Sequence, residues 1–179
     1  MPGALLISVS GAFSTGKTTL VEALRQVIPD AVIIADGGRA ARAAVRDFDW
    51  ARADARSFLY WYQLVREAEV SAPVVLCDTG LIDVLAHHQL YGIELPPDVA
   101  LHNRRYDLAL LCNAVEVELV DDGLRDTDHG RRAELDLLIR EHARQLARNS
   151  VEIGGDPSWR LAKALDLVRT AREAAGGRV

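Results

Sequence analysis

The sequence predicts an α/β fold in which a parallel sheet carries helices on both faces. Three observations point there. Short apolar runs alternate with amphipathic stretches about five times along the 179 residues. The first of these runs is continuously apolar, as in strands buried on both faces, rather than alternating apolar with polar. A glycine-hinged loop, "GAFSTGKTT" (11–19), joins the first run to the first amphipathic stretch.

The elements follow in order. "ALLISVS" (4–10) is the first strand, stopped by Gly11. "TTLVEALRQVI" places Leu20, Leu24 and Val27 at helical spacing, and Pro29-Asp30 ends that helix. "AVIIAD" (31–36) predicts a second buried strand; Gly37 and Gly38 break it, and a short helix follows around "RAARAAVRDF". "DARSFLYWYQLVREAEVSA" sets Phe58, Trp61 and Val65 on one helical face, with Tyr62 beside them. The aromatics Phe48, Trp50, Tyr60, Trp61 and Tyr62 are expected mostly in the core, with one of them able to stack on a flat ring. "PVVLCD" (73–78) is a third strand and "LIDVLAHHQL" its helix. "YDLALLCN" (106–113) is a fourth strand, and "RRAELDLLIREHARQLAR" a long helix with Leu135, Leu138 and Ile139 opposite its charges. "SVEIG" is a short fifth strand, and "SWRLAKALDLVRTAREA" a closing helix. No repeat, low-complexity tract or linker divides the chain, so one domain over 1–179 is expected.

Composition is that of a folded domain: 49% hydrophobic and 26% charged residues. The net charge of −5 argues against nucleic acid as partner, because phosphate neutralisation by basic residues supplies most of that affinity. Cys77 and Cys112 sit inside apolar runs and read as buried thiols in neighbouring strands. The start lacks a basic leader and its apolar stretch is short, so no membrane span and a cytoplasmic location are expected.

Strand, Gly-x-x-x-x-Gly-Lys-Thr, helix is the context of a phosphate-binding loop. Gly11 and Gly16 let the backbone wrap, so that amides from Ser14 and Thr15 through Thr18 and Thr19 point at phosphate oxygens beside a helix N-terminus. Lys17 is expected to bridge the β- and γ-phosphates, and the Thr18 hydroxyl to hold Mg2+. Asp78, at the end of the third strand, is a second metal candidate, through a water; a helix cap is the other role for an acid there.

Asp36 ends the second strand on the same sheet edge. It can accept the proton of an attacking hydroxyl, hold two sugar hydroxyls, or form the turn before Gly37 and Gly38. Arg39 either reaches a transferred phosphate or lies on a solvated helix face. "DDGLRDTDHGRR" reads as a lid whose arginines Arg125, Arg131 and Arg132 neutralise charge developing at the γ-phosphate. Arg125 is the catalytic candidate and Arg131 a nucleotide contact; Asp121 and Asp122 orient those arginines or touch substrate. His87 and His88 are adjacent on a helix, face different ways and make no metal pair, while His129 falls in the lid.

With these motifs in this order, joined by "VEIGGDPSWRLAKAL" near the end, the chain resembles the ribosylnicotinamide-kinase-like P-loop family over residues 4 to about 172. The resemblance implies an adenylate-kinase-like, three-layer fold with five parallel strands in order 2-3-1-4-5 and an arginine-bearing lid. It implies ATP as donor and a nucleoside-like acceptor, nicotinamide riboside or a related nucleoside, phosphorylated on a ribose hydroxyl. It also puts the loop at Gly154 and Gly155 near adenine. Where that family often has an aromatic residue after the first acid this chain has Gly37, and where it often has a second acid after "DT" this chain has Gly80. Both changes are expected to leave room for a bulkier acceptor, such as a modified nucleoside or an amino-sugar metabolite.

The partner is therefore expected to be a nucleoside-like small molecule, with no nucleic acid, no membrane, and a homodimer left open. The competing reading is a nucleotide-binding regulatory P-loop ATPase without an acceptor. A GTP switch is disfavoured, since "DTGL" and "NRRYD" match neither the DxxG nor the NKxD that guanine switches use.

Overall fold

In the computed structural model, residues 4–45, 49, 52–113 and 129–176 are described. Five strands, β1 (Leu5–Ser10), β2 (Ala31–Ile34), β3 (Val74–Asp78), β4 (Tyr106–Cys112) and β5 (Ala147–Ile153), form one parallel sheet in the order β2-β3-β1-β4-β5. The register sets Val9 of β1 between Asp78 of β3 and Leu110 of β4. Among the described residues six α-helices flank them, α1 (Lys17–Val27), α2 (Gly37–Ala44), α3 (Ala53–Glu69), α4 (Leu81–Leu90), α5 (His129–Leu146) and α6 (Pro157–Gly176), with a short 3-10 helix at Val99–His102. None of them is long and apolar enough to cross a membrane, among the described residues.

The strand residues alternate between two cores. Leu5, Ile7 and Val9 join Leu76, Leu108 and Leu110 under α1 and α6, meeting Leu20, Leu24, Ala164 and Val168. Val75, Cys77, Ala109 and Leu111 join Leu81, Leu85, Leu135 and Ile139 beneath α4 and α5. Each fully buried Leu or Ile contributes about 1.5–3 kcal/mol relative to exposure, so this two-sided burial fixes the sheet. On the α4 side β1 carries Ser8 and Ser10, fully buried and paired with each other at 2.8 Å. These small side chains let the start of α4 approach the strand closely.

Five expectations are corrected. Val27 is solvent-facing, and Val21 takes the buried position in α1, because the helix rests on the sheet through Leu20, Val21 and Leu24. β2 is an edge strand whose Val32 points outward, not a strand buried on both faces. In α3 the aromatic face is outside: Phe58, Trp61 and Val65 are about half exposed, while Arg56, Leu59, Tyr60, Gln63 and Glu67 turn inward. The inward polar groups are tolerated because they are paired. Glu67 accepts from Gln63 Nε2 at 2.8 Å, from the Tyr106 hydroxyl, and from Arg105. Fourth, Cys77 and Cys112 are buried free thiols in strands that flank β1 and are not neighbours.

The fifth concerns the space at Gly37 and Gly80. A Cβ on Gly37 would lie 2.7 Å from Tyr62 Cδ1, and one on Gly80 would lie 2.6 Å from both Ser8 Oγ and the Tyr106 hydroxyl. Neither glycine opens a hole. The aromatic missing after Asp36 is replaced in space by Tyr62 from α3, and Gly80 lets α4 start against β1 and β4.

Candidate active site

The carboxyl edge of the sheet holds the loop that begins at Gly11. The Gly11 position has φ of 156°, and a Cβ there would sit 2.7 Å from the Cys112 carbonyl oxygen. Gly16, with φ of 79°, is the left-handed residue that turns the loop into α1. Ser14 is also left-handed, at φ 54°. Lys17 folds back across the loop and donates to the carbonyls of Gly11 at 2.6 Å and Ala12 at 3.0 Å, which holds its ammonium against the loop backbone.

Three distant side chains brace this loop. Asp83, in the first turn of α4, accepts the Gly11 N–H at 3.1 Å. Arg160, in the first turn of α6, donates to the Thr15 carbonyl at 2.7 Å and to the Gly155 carbonyl at 2.8 Å. Arg132 of α5 donates to the Phe13 carbonyl at 3.1 Å. None of these contacts is visible in local sequence.

Thr18 and Asp78 meet directly: the hydroxyl donates to Asp78 Oδ2 at 2.8 Å, and Asp78 Oδ1 is buried without a hydrogen-bond partner. Burial raises the Asp78 pKa, opposed by the Thr18 hydrogen bond and by the charge of Lys17. A hydroxyl, a carboxylate oxygen and an orphaned acceptor beside a phosphate cradle suit Mg2+, which prefers few protein oxygens and keeps waters. No cluster of three His, Cys, Asp or Glu ligands occurs among the described residues, so a cation here would share phosphate and water oxygens. Thr79, next to Asp78, is held at φ 70°, a strained setting for a β-branched residue.

A cavity of about 730 Å³ runs outward from the loop. α2 supplies one wall, with Asp36, Gly37, Gly38, Arg39 and Arg42; Arg56, Leu59 and Gln63 of α3 face Asp83, Val84, His87 and Tyr91 along α4. Asp36 caps α2, its Oδ1 accepting from Gly38 N–H at 2.9 Å, so the turn-forming role is real and coexists with a place on the cavity wall. Arg39 reaches the Thr18–Asp78 pair, donating to Thr18 Oγ1 at 3.3 Å.

Asp83 is fully enclosed. Its Oδ2 lacks a hydrogen bond of good geometry, and burial raises its pKa to about 6 against the pull of Lys17, Ser10 and the Gly11 amide. His87, one turn further along α4, is held neutral by burial and by the charges of Arg56 and Lys17. Its Nδ1 is buried without a partner, and its ring lies 5.5 Å from Phe13 and 6.3 Å from Tyr91.

The fold thus brings together Gly11, Ser14, Thr15, Gly16, Lys17, Thr18, Thr19, Asp36, Arg39 and Asp78 of the residues expected from sequence. Arg131 is exposed on α5, and it is Arg132 that touches the loop. Arg125, Asp121, Asp122, Phe48, Trp50 and the side chain of His129 lie outside the described residues. Sequence reasoning missed Arg56, Asp83, His87 and Arg160 as site residues, and it named Arg132 as a lid arginine without its contact to the Phe13 carbonyl. The signal that could have found Asp83, His87 and Tyr91 is their i, i+4, i+8 spacing on the helix after "CDT".

The profile of the AAA_28 family, described as an AAA domain, matches residues 6–160. No curated protein matches the chain at a significant level. Among solved structures, a NadR protein in complex with NR is 25% identical with a TM-score of 0.74, covering 95% of this chain and 52% of its own. The chain therefore spans about half the length of that NadR protein. Deoxyadenosine kinase from M. mycoides, with dCMP and dCDP as products, has a TM-score of 0.62 at 8% identity, covering 92% of this chain and 98% of its own. Shikimate kinase from Acinetobacter baumannii, in complex with shikimate, has a TM-score of 0.57 at 17% identity, covering 94% and 95%. These two likenesses are of fold: the five-stranded order β2-β3-β1-β4-β5 with flanking helices.

Proposed function

The chain belongs to the AAA_28 family of AAA domains, and from that premise we propose that it is an ATP- and Mg2+-dependent kinase acting on a nucleoside-like small molecule. The observation that carries the reading is a single cavity with the Lys17 loop and the Thr18–Asp78 pair at one end and Asp36 on its wall. A nucleotide switch needs no such acceptor-sized extension beyond the phosphate site.

In this reading the amides of residues 14–19 and the Lys17 ammonium hold the β- and γ-phosphates, with Arg132 and Arg160 keeping the loop in shape. Thr18 and Asp78 hold Mg2+, which when bound neutralises charge on the phosphate oxygens. Asp36 receives the proton of the acceptor hydroxyl as its oxygen bonds to the γ-phosphorus; the bond from that phosphorus to the β–γ bridging oxygen breaks, and ADP leaves. Arg39 lies near enough to Thr18 to steady the transferring group. Arg125, Arg131 and Asp122 keep the lid roles proposed for them. A NadR protein in complex with NR, and a NadR protein in complex with NAD and AMP-PNP, support ATP as donor and a nucleoside as acceptor.

An ADP-release assay with a panel of nucleosides, modified nucleosides and sugar metabolites tests this. The expected result is stimulation by at least one acceptor. Basal ATP hydrolysis that no acceptor raises would favour the regulatory ATPase instead.

A further inference from the structure

Gln63 is a buried amide on the cavity wall whose orientation is fixed from behind. Its Nε2 donates at 2.8 Å to Oε1 of Glu67, one turn further along α3. The same oxygen accepts the Tyr106 hydroxyl at 2.5 Å and the Cys77 thiol at 3.7 Å. The other carboxylate oxygen of Glu67 is paired with Arg105. Tyr106 in turn accepts the Leu81 N–H at 2.7 Å, which leaves its own proton for Glu67. Gln63, Tyr106, Cys77 and Arg105 therefore all donate to one carboxylate, and a carboxylate can only accept.

An amide side chain can in general be turned over, exchanging its carbonyl with its NH2. Here that turn would set the Gln63 carbonyl against the Glu67 carboxylate, two acceptors in contact away from water, so one orientation prevails. With the nitrogen committed to Glu67, the end left for a ligand is the carbonyl. No hydrogen bond to that oxygen is formed among the described residues.

The place of Gln63 matters as much as its orientation. Leu59, one turn back on α3, would lie 3.6 Å from a Cβ on Gly37, the residue that follows Asp36. Gln63 and Asp36 thus line the same stretch of cavity, with Val84 of α4 also on its wall. Leu59 and Val84 have no side-chain donor to offer the carbonyl, so a bound molecule has to bring one.

We propose that Gln63 selects the acceptor, its carbonyl oxygen accepting an N–H carried by the ring of a nucleoside-like molecule whose reacting hydroxyl faces Asp36. The class that fits is a nucleoside bearing a carboxamide or an exocyclic amine. A ring with only acceptors or alkyl groups at that place leaves the carbonyl unpaired, the kind of mismatch that polar pockets reject most strongly. The inference rests on the kinase reading of this cavity and narrows its substrate class.

Matched compounds that differ by an N–H donor and not by charge test it. Protein preloaded with Mg2+ and AMP-PNP is titrated calorimetrically with nicotinamide riboside against 3-acetylpyridine riboside. Adenosine against purine riboside and cytidine against 2-pyrimidinone riboside make two further pairs. The same compounds with ATP are assayed for phosphorylated product by mass spectrometry. The donor-bearing member of at least one pair is expected to bind about tenfold or more tightly than its partner. Gln63→Met keeps the side-chain length and leaves Glu67 its bonds from Tyr106 and Arg105. It is expected to bring that pair within about twofold, a ratio that a general loosening of the fold would not change. Equal binding within every pair would overturn the inference, as would binding by none of the six compounds. Discrimination that survives in a folded Gln63→Met protein would also overturn it; if that variant does not fold, Gln63→Asn, whose amide is one methylene shorter, is read in its place. A tenfold preference with no phosphorylated product would leave the Gln63 site standing and remove the kinase reading instead.

Discussion

The carboxylate of Asp83 accepts the Gly11 amide at 3.1 Å, so the opening of the phosphate loop is tied to the first turn of α4. The tie is electrostatically costly when charged, because Asp83 is buried and its pKa is raised to about 6. A carboxyl whose folded pKa lies above its unfolded value favours the folded state at low pH. That contribution is complete below about pH 4 and is lost as pH rises through about 6.

Asp83→Asn keeps an oxygen for the Gly11 amide and removes the charge. At pH 8 the variant should be more stable than the wild type, by an amount on the order of 2 kcal/mol, and the difference should vanish near pH 4. Denaturant melts at pH 4, 6 and 8 measure this; a difference independent of pH would contradict the assignment.

Lys17→Ala removes the ammonium that spans the Gly11 and Ala12 carbonyls. Turnover should fall by about 100-fold or more and nucleotide affinity should weaken, with melting temperature little changed. Steady-state kinetics and nucleotide titration separate the two effects.

Asp36 has two jobs, and two substitutions divide them. Asparagine can still cap α2 by accepting from Gly38, so Asp36→Asn should leave stability and ATP binding intact while turnover collapses. Asp36→Ala should lose the cap as well, at about 1 kcal/mol. An Asp36→Asn enzyme of full activity would remove Asp36 as the base.

Arg160→Leu strands the carbonyls of Thr15 and Gly155, which the guanidinium joins. The expected cost is about 1–3 kcal/mol of stability together with a raised KM for nucleotide and a smaller change in kcat. An unchanged KM would mean that the α6 contact steadies the fold without shaping the loop.

Much of this architecture could be read from residues in a row. The loop from Gly11 to Thr18 was legible because local backbone chemistry fixes the spacing of its glycines and lysine. Helix α4 was legible over its whole length, between Gly80 and Tyr91. What stayed hidden lies between elements far apart in the chain. Arg160 reaches the loop across 145 positions, and Arg132 across 119. In α3 the hydrophobic pattern pointed the wrong way, because this helix faces a polar cleft and a buried Glu67 network, leaving Trp61 outside. The space expected at Gly37 and Gly80 was misjudged for the same reason: the side chains that fill it, Tyr62, Ser8 and Tyr106, come from other elements.

The most direct measurement is a single-turnover reaction with ATP labelled in its γ-phosphoryl group, mixed with an acceptor that stimulates ADP release, in wild-type and Asp36→Asn proteins. Label appearing on an acceptor hydroxyl in the wild type, and not in the variant despite normal ATP binding, is the predicted result. Label released only as inorganic phosphate, at the same rate in both proteins, would contradict transfer across this cavity.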